Sequence, residues 1–430
     1  MQFYSTNRKT SPVSLREAVV RGLATDRGLF MPEVIRRFPP AFYQNMKEMT
    51  LREISFVVAE AFFGEDVEAG KLKEIVDETL NFDIPLVQVA DNRYSLELFH
   101  GPTLAFKDVG ARFMARLLAY FNKQEGERQV NVLVATSGDT GSAVANGFYG
   151  IEGIRVVVLY PEGKVSDLQE SQMTTLGGNI HPLKVRGTFD DCQRIVKEIF
   201  SDAAFRREKA VTSANSINLL RWMPQSFYYF YAWAQWKKTT GEDDPDIVVP
   251  SGNYGNLSAG MLAARMGMPV GRFVAASNAN DIIPKYLETG VFEPRASVMT
   301  LANAMDVGNP SNYERILDLY GGDFTALTAG VKGYRCGDEA ILEAIRELYE
   351  RYGYVSDPHS AVGYNAAKAY QVRGFWLSTA HRAKFSNVIR EALGRDFDLP
   401  EGLRKFLGKE KHFTPIDPDT AAVEEFVRGV

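Results

Sequence analysis

Cysteine is nearly absent: of 430 residues only Cys192 and Cys336 carry a thiol, and they lie far apart. Two distant thiols exclude a cysteine-based zinc site and fit a reducing cytoplasm. Both read most simply as small buried apolar residues. Long apolar runs are missing too. No stretch approaches the ~20 apolar residues of a spanning helix, and the start, Met1-Gln-Phe-Tyr-Ser-Thr-Asn7, has no apolar signal segment. A cytoplasmic protein without membrane association is expected. An excess of positive charge is also lacking, since the formal net charge is −5. That balance removes any general attraction to nucleic acid or anionic membrane, so a cation in a site is there for local reasons. No Gly-x-Ser-x-Gly elbow occurs, which argues against a serine hydrolase. Internal repeats and low-complexity tracts are absent as well.

What is present is an ordinary globular composition, 45% hydrophobic and 24% charged, in a chain long enough for two or three domains. From Val13 to about Leu80 the apolar spacing is helical: Leu15, Val19, Val20 and Leu23, then Ile54, Val57, Val58, Ala61 and Phe62. Only Gly28-Leu-Phe-Met31 reads as a short strand there. From about residue 85 strands and helices alternate. Strands are expected at Asn131–Ala135, Arg155–Tyr160, His181–Val185, Asp246–Pro250 and Phe273–Ala276. Helices are expected from Asp190, over Leu219–Trp236 and over Gly337–Tyr352. Such alternation implies parallel sheets with helices on both faces, and binding sites beyond the carboxyl ends of the strands. The expected organisation is a helical N-terminal domain over 1–84, a large α/β domain from 85–108 and 206–430, and a smaller α/β domain over 109–205.

Three turns carry the chemistry. In His100-Gly-Pro-Thr-Leu-Ala-Phe-Lys-Asp-Val-Gly110, Gly101 and Pro102 end a short strand, and Lys107 stands near a helix start. The macrodipole there favours anions, so a lysine is poorly placed as a surface charge. Its neighbours Leu104, Ala105 and Phe106 would desolvate it, which suits a nucleophilic amine; a snorkelling surface lysine is the bland alternative. Ser251-Gly-Asn-Tyr-Gly-Asn256 lies between a strand and a helix, where free backbone N–H groups and the helix dipole suit a phosphate. It is neither a Walker loop nor a dinucleotide fingerprint. Thr136-Ser-Gly-Asp-Thr-Gly-Ser142 offers hydroxyls and N–H groups that suit a carboxylate. Two anion turns in one chain suggest a cofactor phosphate plus an anionic substrate.

These segments, with Asn215-Ser-Ile-Asn-Leu-Leu-Arg221, Asp306-Val-Gly-Asn-Pro-Ser-Asn312 and Ser378-Thr-Ala-His381 in this order, resemble the threonine synthases of the longer bacterial and fungal subgroup. The resemblance runs from Tyr4 to near Pro415. It implies an α/β fold: two mostly parallel-sheet domains of the fold-type II pyridoxal-phosphate enzymes plus the helical N-terminal region. It also implies a role for each matching residue. Lys107 matches the lysine that holds pyridoxal 5'-phosphate as a Schiff base. Gly252, Asn253, Tyr254, Gly255 and Asn256 match the cofactor-phosphate loop. Thr379 matches the hydroxyl that faces the pyridine nitrogen. Ser137, Thr140 and Gly141 match the loop for the substrate carboxylate, and Ser216 and Arg221 the pair for the substrate phosphate. No metal is implied.

Two positions depart from the family. Asp139 stands where the wider fold type has an asparagine that meets the cofactor's phenolic oxygen, so an ionised carboxylate there must share a proton or turn away. Arg382 replaces a proline and adds a cation after Thr379. The implied activity is that of a carbon–oxygen lyase acting on phosphates in threonine biosynthesis. It eliminates phosphate from O-phospho-L-homoserine and adds water, and it would act as monomer or homodimer. A serine/threonine dehydratase or phospholyase of the same fold type is the nearest alternative, and a non-catalytic relative the next. His359, His100 and His381 read as capping or packing residues at least as readily as catalytic ones, and the aromatics Phe227–Tyr231 as core.

Overall fold

The computed structural model describes residues 1–124, 126 and 128–429. Its strands, in chain order, are β1 (Gln2–Ser5), β2 (Val13–Ser14), β3 (Phe30–Pro32), β4 (Leu86–Ala90), β5 (Arg93–Glu97), β6 (Val130–Ala135) and β7 (Ile154–Pro161). They continue as β8 (Ile180–Val185), β9 (Ala210–Ser213), β10 (Asp246–Pro250), β11 (Phe273–Ser277), β12 (Val331–Arg335), β13 (Gly374–Ser378) and β14 (Thr414–Ile416).

The chain divides into two compact units. Unit 1 comprises Met1, 31–106 and 222–398; unit 2 comprises 2–30, 107–221 and 399–430. Unit 1 contains a six-stranded sheet in the order β12-β11-β10-β13-β5-β4. Its strands run parallel except for the edge pair β4–β5. Unit 2 contains a five-stranded, all-parallel sheet in the order β14-β8-β7-β6-β9. Both sheets bury their faces under helices, as expected of parallel strands that read as continuous apolar runs. Val248, Val274 and Trp376 meet Ile341, Ile345 and Leu348 of the Asp338–Tyr352 helix in unit 1. Leu133, Val157 and Leu183 meet Ile195, Val196 and Ile199 of the Phe189–Ser201 helix in unit 2.

This division differs from the expected one. Residues 1–84 form no unit of their own. The Leu15–Arg21 helix is held to the β9 side of unit 2, where Thr212 Oγ1 and Asn218 Nδ2 each donate to the Val19 carbonyl at 3.0 Å. The Leu51–Phe63 helix, started by a Thr50–Glu53 capping box, lies in unit 1. Amphipathic spacing shows that a helix has a face to bury, but not against what. Residues 206–221 and 399–430 likewise go with unit 2, because β9 pairs with β6 and β14 with β8. The expected helix over Leu219–Trp236 is broken: Leu219–Trp222 is followed by a 3₁₀ turn over Met223–Gln225 and a new helix, Ser226–Thr240. Pro224 inside that turn cannot donate to a continuous helix. Among the described residues no helix is long and apolar enough to cross a membrane.

Candidate active site

In unit 1, three adjacent strands aim their carboxyl ends at the predicted residues. β5 leads into the segment before Lys107, β13 into Thr379, and β10 into the Ser251–Asn256 loop. The first two are stitched by main chain. Phe106 N–H donates to the Thr379 carbonyl at 2.9 Å, His381 N–H donates to the Leu104 carbonyl at 3.0 Å, and Ala105 pairs with Ala380. Leu104 takes a left-handed backbone with φ 56°, an uncommon state for a branched residue that marks a constrained turn. The helix then begins at Lys107 itself, with Val109, Phe113, Met114, Leu117 and Leu118 on its buried side.

Thr379 is buried, and its N–H donates to Ser360 Oγ at 3.2 Å. Ser360 Oγ in turn donates to Asp357 Oδ2. Asp357 caps the Pro358–Ala369 helix and also accepts the His359 N–H at 2.9 Å. The His359 ring is fixed at both nitrogens: Nδ1 lies 2.9 Å from Asp357 Oδ1, and Nε2 accepts the Ala304 N–H at 3.1 Å. That pattern fixes the ring in place, in line with a capping or packing role. His381 is pushed down to about 4 by burial and by Arg382, so it too is neutral near pH 7. The Arg382 guanidinium turns toward the Phe397 ring, 5.5 Å from its centroid.

The Ser251–Asn256 loop has the features of an anion cradle. Tyr254, with φ 60°, is the N-cap of the Gly255–Arg265 helix, and no side chain caps that end. The left-handed residue is therefore Tyr254, not Gly255. Its hydroxyl hydrogen-bonds Ser277. Asn253 Oδ1 accepts from Ser311 N and Oγ at 2.7 and 2.9 Å, which brings two sequence motifs together. A Cβ on Gly252 would lie 2.6 Å from Met305 Cα, so this position tolerates only glycine. Asn256 Oδ1 accepts from Tyr228 and Tyr229 hydroxyls at 2.7 and 2.8 Å. These tyrosines are core residues, as read, but they also set the loop, which a cluster of aromatics in sequence does not reveal. Asn256 Nδ2 is buried without a hydrogen-bond partner. Uncapped helix N–H groups and an unused amide donor fit the phosphate of pyridoxal 5'-phosphate.

In unit 2, the segment expected to receive the substrate carboxylate follows β6 and opens the Asp139–Phe148 helix. Ser137 and Thr140 are half-buried. The Gly138 and Gly141 N–H groups both donate to Thr136 Oγ1, at 2.9 and 2.8 Å, so the Gly141 N–H already has an acceptor inside the loop. Asp139 is buried, and its Oδ1 accepts Gln169 Nε2 at 2.9 Å. The carboxylate is thus turned onto a fixed donor, because Gln169 belongs to a capping box with Ser166. The Ser166-x-x-Gln169 signature was readable in sequence, its partner was not.

The adjacent strand β9 leads to half-buried Ser216 and to Arg221, whose guanidinium is buried and donates to the Ala214 carbonyl. Burial lowers Arg221 to about 10, and the nearby Asp108 carboxylate opposes that shift. A Cβ on Gly110 would lie 2.6 Å from the Arg221 carbonyl oxygen. The first turn of the Lys107 helix therefore packs directly on the Arg221 backbone. No cluster of three or more potential metal ligands occurs among the described residues.

A lysine at a helix start, a hydroxyl residue and an uncapped phosphate cradle, on the carboxyl ends of neighbouring parallel strands, define a pyridoxal-phosphate-dependent enzyme. The family model described as pyridoxal-phosphate dependent enzyme matches residues 93–375. Models of the threonine synthase N terminus and C-terminal region match residues 2–80 and 360–427. The threonine synthase of Serratia marcescens is 43% identical over 406 residues, covering 94% of this chain and 93% of its own. The crystal structure of threonine synthase from Escherichia coli superposes with a TM-score of 0.93 at 39% identity, covering 100% of both chains. The structure of PLP-bound threonine synthase from Brucella melitensis gives 0.92 at 34% identity, covering 100% of this chain and 99% of its own. The chain belongs to the threonine synthase family.

Proposed function

We propose that the chain converts O-phospho-L-homoserine and water into L-threonine and phosphate, by γ-elimination of the phosphate and β-addition of water. The observation that carries this reading is Arg221, a buried cation beside the first turn of the Lys107 helix. A dehydratase acting on serine or threonine has no second phosphate to bind and no need of that charge. The full-length likeness to threonine synthases supports the same choice over a phospholyase or a non-catalytic relative.

Pyridoxal 5'-phosphate, when bound, supplies an electron sink for carbanions at the substrate carbons. Lys107 is the amine that would hold it and, once freed, the group that moves protons at the α and β carbons. Gly252, Asn253, Tyr254, Gly255 and Asn256 would hold its phosphate, and the Thr379 hydroxyl its ring nitrogen. Ser137, Thr140 and the N terminus of the Asp139–Phe148 helix would receive the substrate carboxylate. Because the Gly141 N–H is bound to Thr136, the Thr140 hydroxyl and the first helix N–H groups carry that role. Ser216 and Arg221 would hold the substrate phosphate, and the planar guanidinium favours the charge that builds as the C–O bond breaks. Asp139, bound to Gln169, would help to orient this loop. We infer a cytoplasmic location, as monomer or homodimer, from the two buried free thiols and the kind of relatives matched.

The test is product analysis of the cofactor-loaded enzyme with O-phospho-L-homoserine. Threonine and phosphate in equal amounts are expected. Phosphate released with a 2-oxo acid and ammonia, and no threonine, would make the chain a phospholyase.

A further inference from the structure

Unit 2 has a second basic region, at the end of its sheet opposite the substrate loop. A cavity of about 500 Å³ lies there, lined among others by Arg128, Arg155, Arg206, Arg207, Glu208 and Lys209. The cations come from three separate places in sequence. Arg128 precedes β6, Arg155 is the second residue of β7, and Arg206 to Lys209 close the Ala203–Glu208 helix just before β9. A helix C terminus alone attracts basic side chains, which accounts for Arg206 and Arg207 but not for Arg128 or Arg155.

Five cations around one cavity repel one another in a protein whose formal net charge is −5. Among the described lining residues the acid Glu208 offers little relief, because it is ion-paired with Arg428 at 3.0 Å. Arg128 and Arg207 take part in no ion pair among the described residues, and both are exposed. Burial lowers the pKa of Arg155 and of Arg206, so their charges are partly stripped of water as well. Guanidinium groups that line one cavity and are partly desolvated suit a phosphate, which they can bind in bidentate fashion. The volume falls in the range of small-molecule sites, and the negative net charge opposes a long polyanion.

We propose that this cavity is a second anion site, which binds a small molecule bearing a di- or triphosphate group through Arg128, Arg155 and Arg207. It is separate from the residues assigned to the substrate. The six residues of β6 span the sheet from the cavity to the substrate loop, a separation of roughly 20 Å.

Calorimetric titration of the cofactor-loaded enzyme with inorganic tripolyphosphate tests this, at about 0.1 M salt so that long-range charge is screened. One ion per chain is expected. The exposed-site double variant Arg128→Gln/Arg207→Gln should bind at least ~10-fold more weakly, since two charge-assisted contacts are lost. Its turnover of O-phospho-L-homoserine without tripolyphosphate should match the parent, and its circular dichroism should be unchanged. A parent that binds no tripolyphosphate overturns the proposal. So does equal affinity in parent and variant, which would put the ion on the substrate-phosphate residues. Tighter binding of a single-stranded oligonucleotide than of tripolyphosphate, abolished by the same double variant, would make the face a nucleic-acid surface instead.

Discussion

The Phe106 N–H donates to the Thr379 carbonyl at 2.9 Å, one residue before Lys107. Two segments more than 270 residues apart are thereby joined main chain to main chain, at Thr379 and at the residue that precedes Lys107. Thr379 is itself held from behind by Ser360 and, through it, Asp357. Preorganisation of this kind is what a site needs if its groups are to meet the reacting atoms without rearrangement.

Lys107→Ala should leave that frame standing, because its bonds are main chain and the lysine side chain is only half-buried. Turnover is expected to fall by at least ~10³-fold through loss of the amine and of its proton transfers. The melting temperature of the cofactor-free protein should stay near that of the parent. A variant that retains turnover and the visible absorbance of bound cofactor would remove Lys107 from the mechanism.

Gly252→Ala tests the phosphate loop. The added methyl would lie 2.6 Å from Met305 Cα and 2.8 Å from its carbonyl oxygen, so backbone must move. Overpacking of that sort costs about 1–3 kcal/mol, and the displaced loop should lose cofactor on dialysis. Parent-like melting and full cofactor occupancy would show that the cradle does not hold the phosphate.

Asp306 gives a pH signature. Its carboxyl is raised from 3.8 to about 6, chiefly by burial, although Thr300 and Asn278 donate to it. A raised carboxyl favours the protonated folded state. Its stabilisation is complete below the unfolded value of 3.8 and is lost as pH rises through about 6. The melting-temperature difference between the parent and Asp306→Asn should therefore change between about pH 4 and 6 and be flat above 7. A difference independent of pH across that window would mean that Asp306 stays ionised.

Much of this site was legible because its signals are local. Glycine punctuation and an apolar face beginning at Val109 located the Lys107 helix, and the strand before Ser251 located the turn proposed for the cofactor phosphate. What stayed hidden is what non-local pairing decides. β9 and β13 are strands of four and five residues whose hydrogen bonds go to β6, and to β10 and β5, so no short window carries their register. The Gln169–Asp139 bond depends on where a helix lands, and with the local Thr136–Gly141 bond it decides which groups of the expected substrate loop remain available. The N-terminal 84 residues read as a domain because helical spacing says nothing about which sheet a helix covers.

Arg221 separates a synthase from a dehydratase most directly. Its guanidinium is buried, bound to the Ala214 carbonyl and within the field of Asp108. One reading makes it a structural cation that ties the β9 end to the Lys107 helix. The other makes it the ligand of the leaving phosphate, where it stabilises charge that grows in the transition state. Arg221→Ala should cost ~10²–10³-fold in turnover of O-phospho-L-homoserine, the usual effect of removing one such donor. Arg221→Lys keeps charge without the planar fork and should cost less. Both variants should keep their cofactor, since the Ser251–Asn256 loop and Lys107 are untouched. Slow deamination of L-serine, which carries no phosphate, supplies the control. It should fall little in the alanine variant if the guanidinium serves the phosphate. Equal losses on both substrates, together with a lower melting temperature, would mark Arg221 as a structural cation and remove the main physical argument for a synthase.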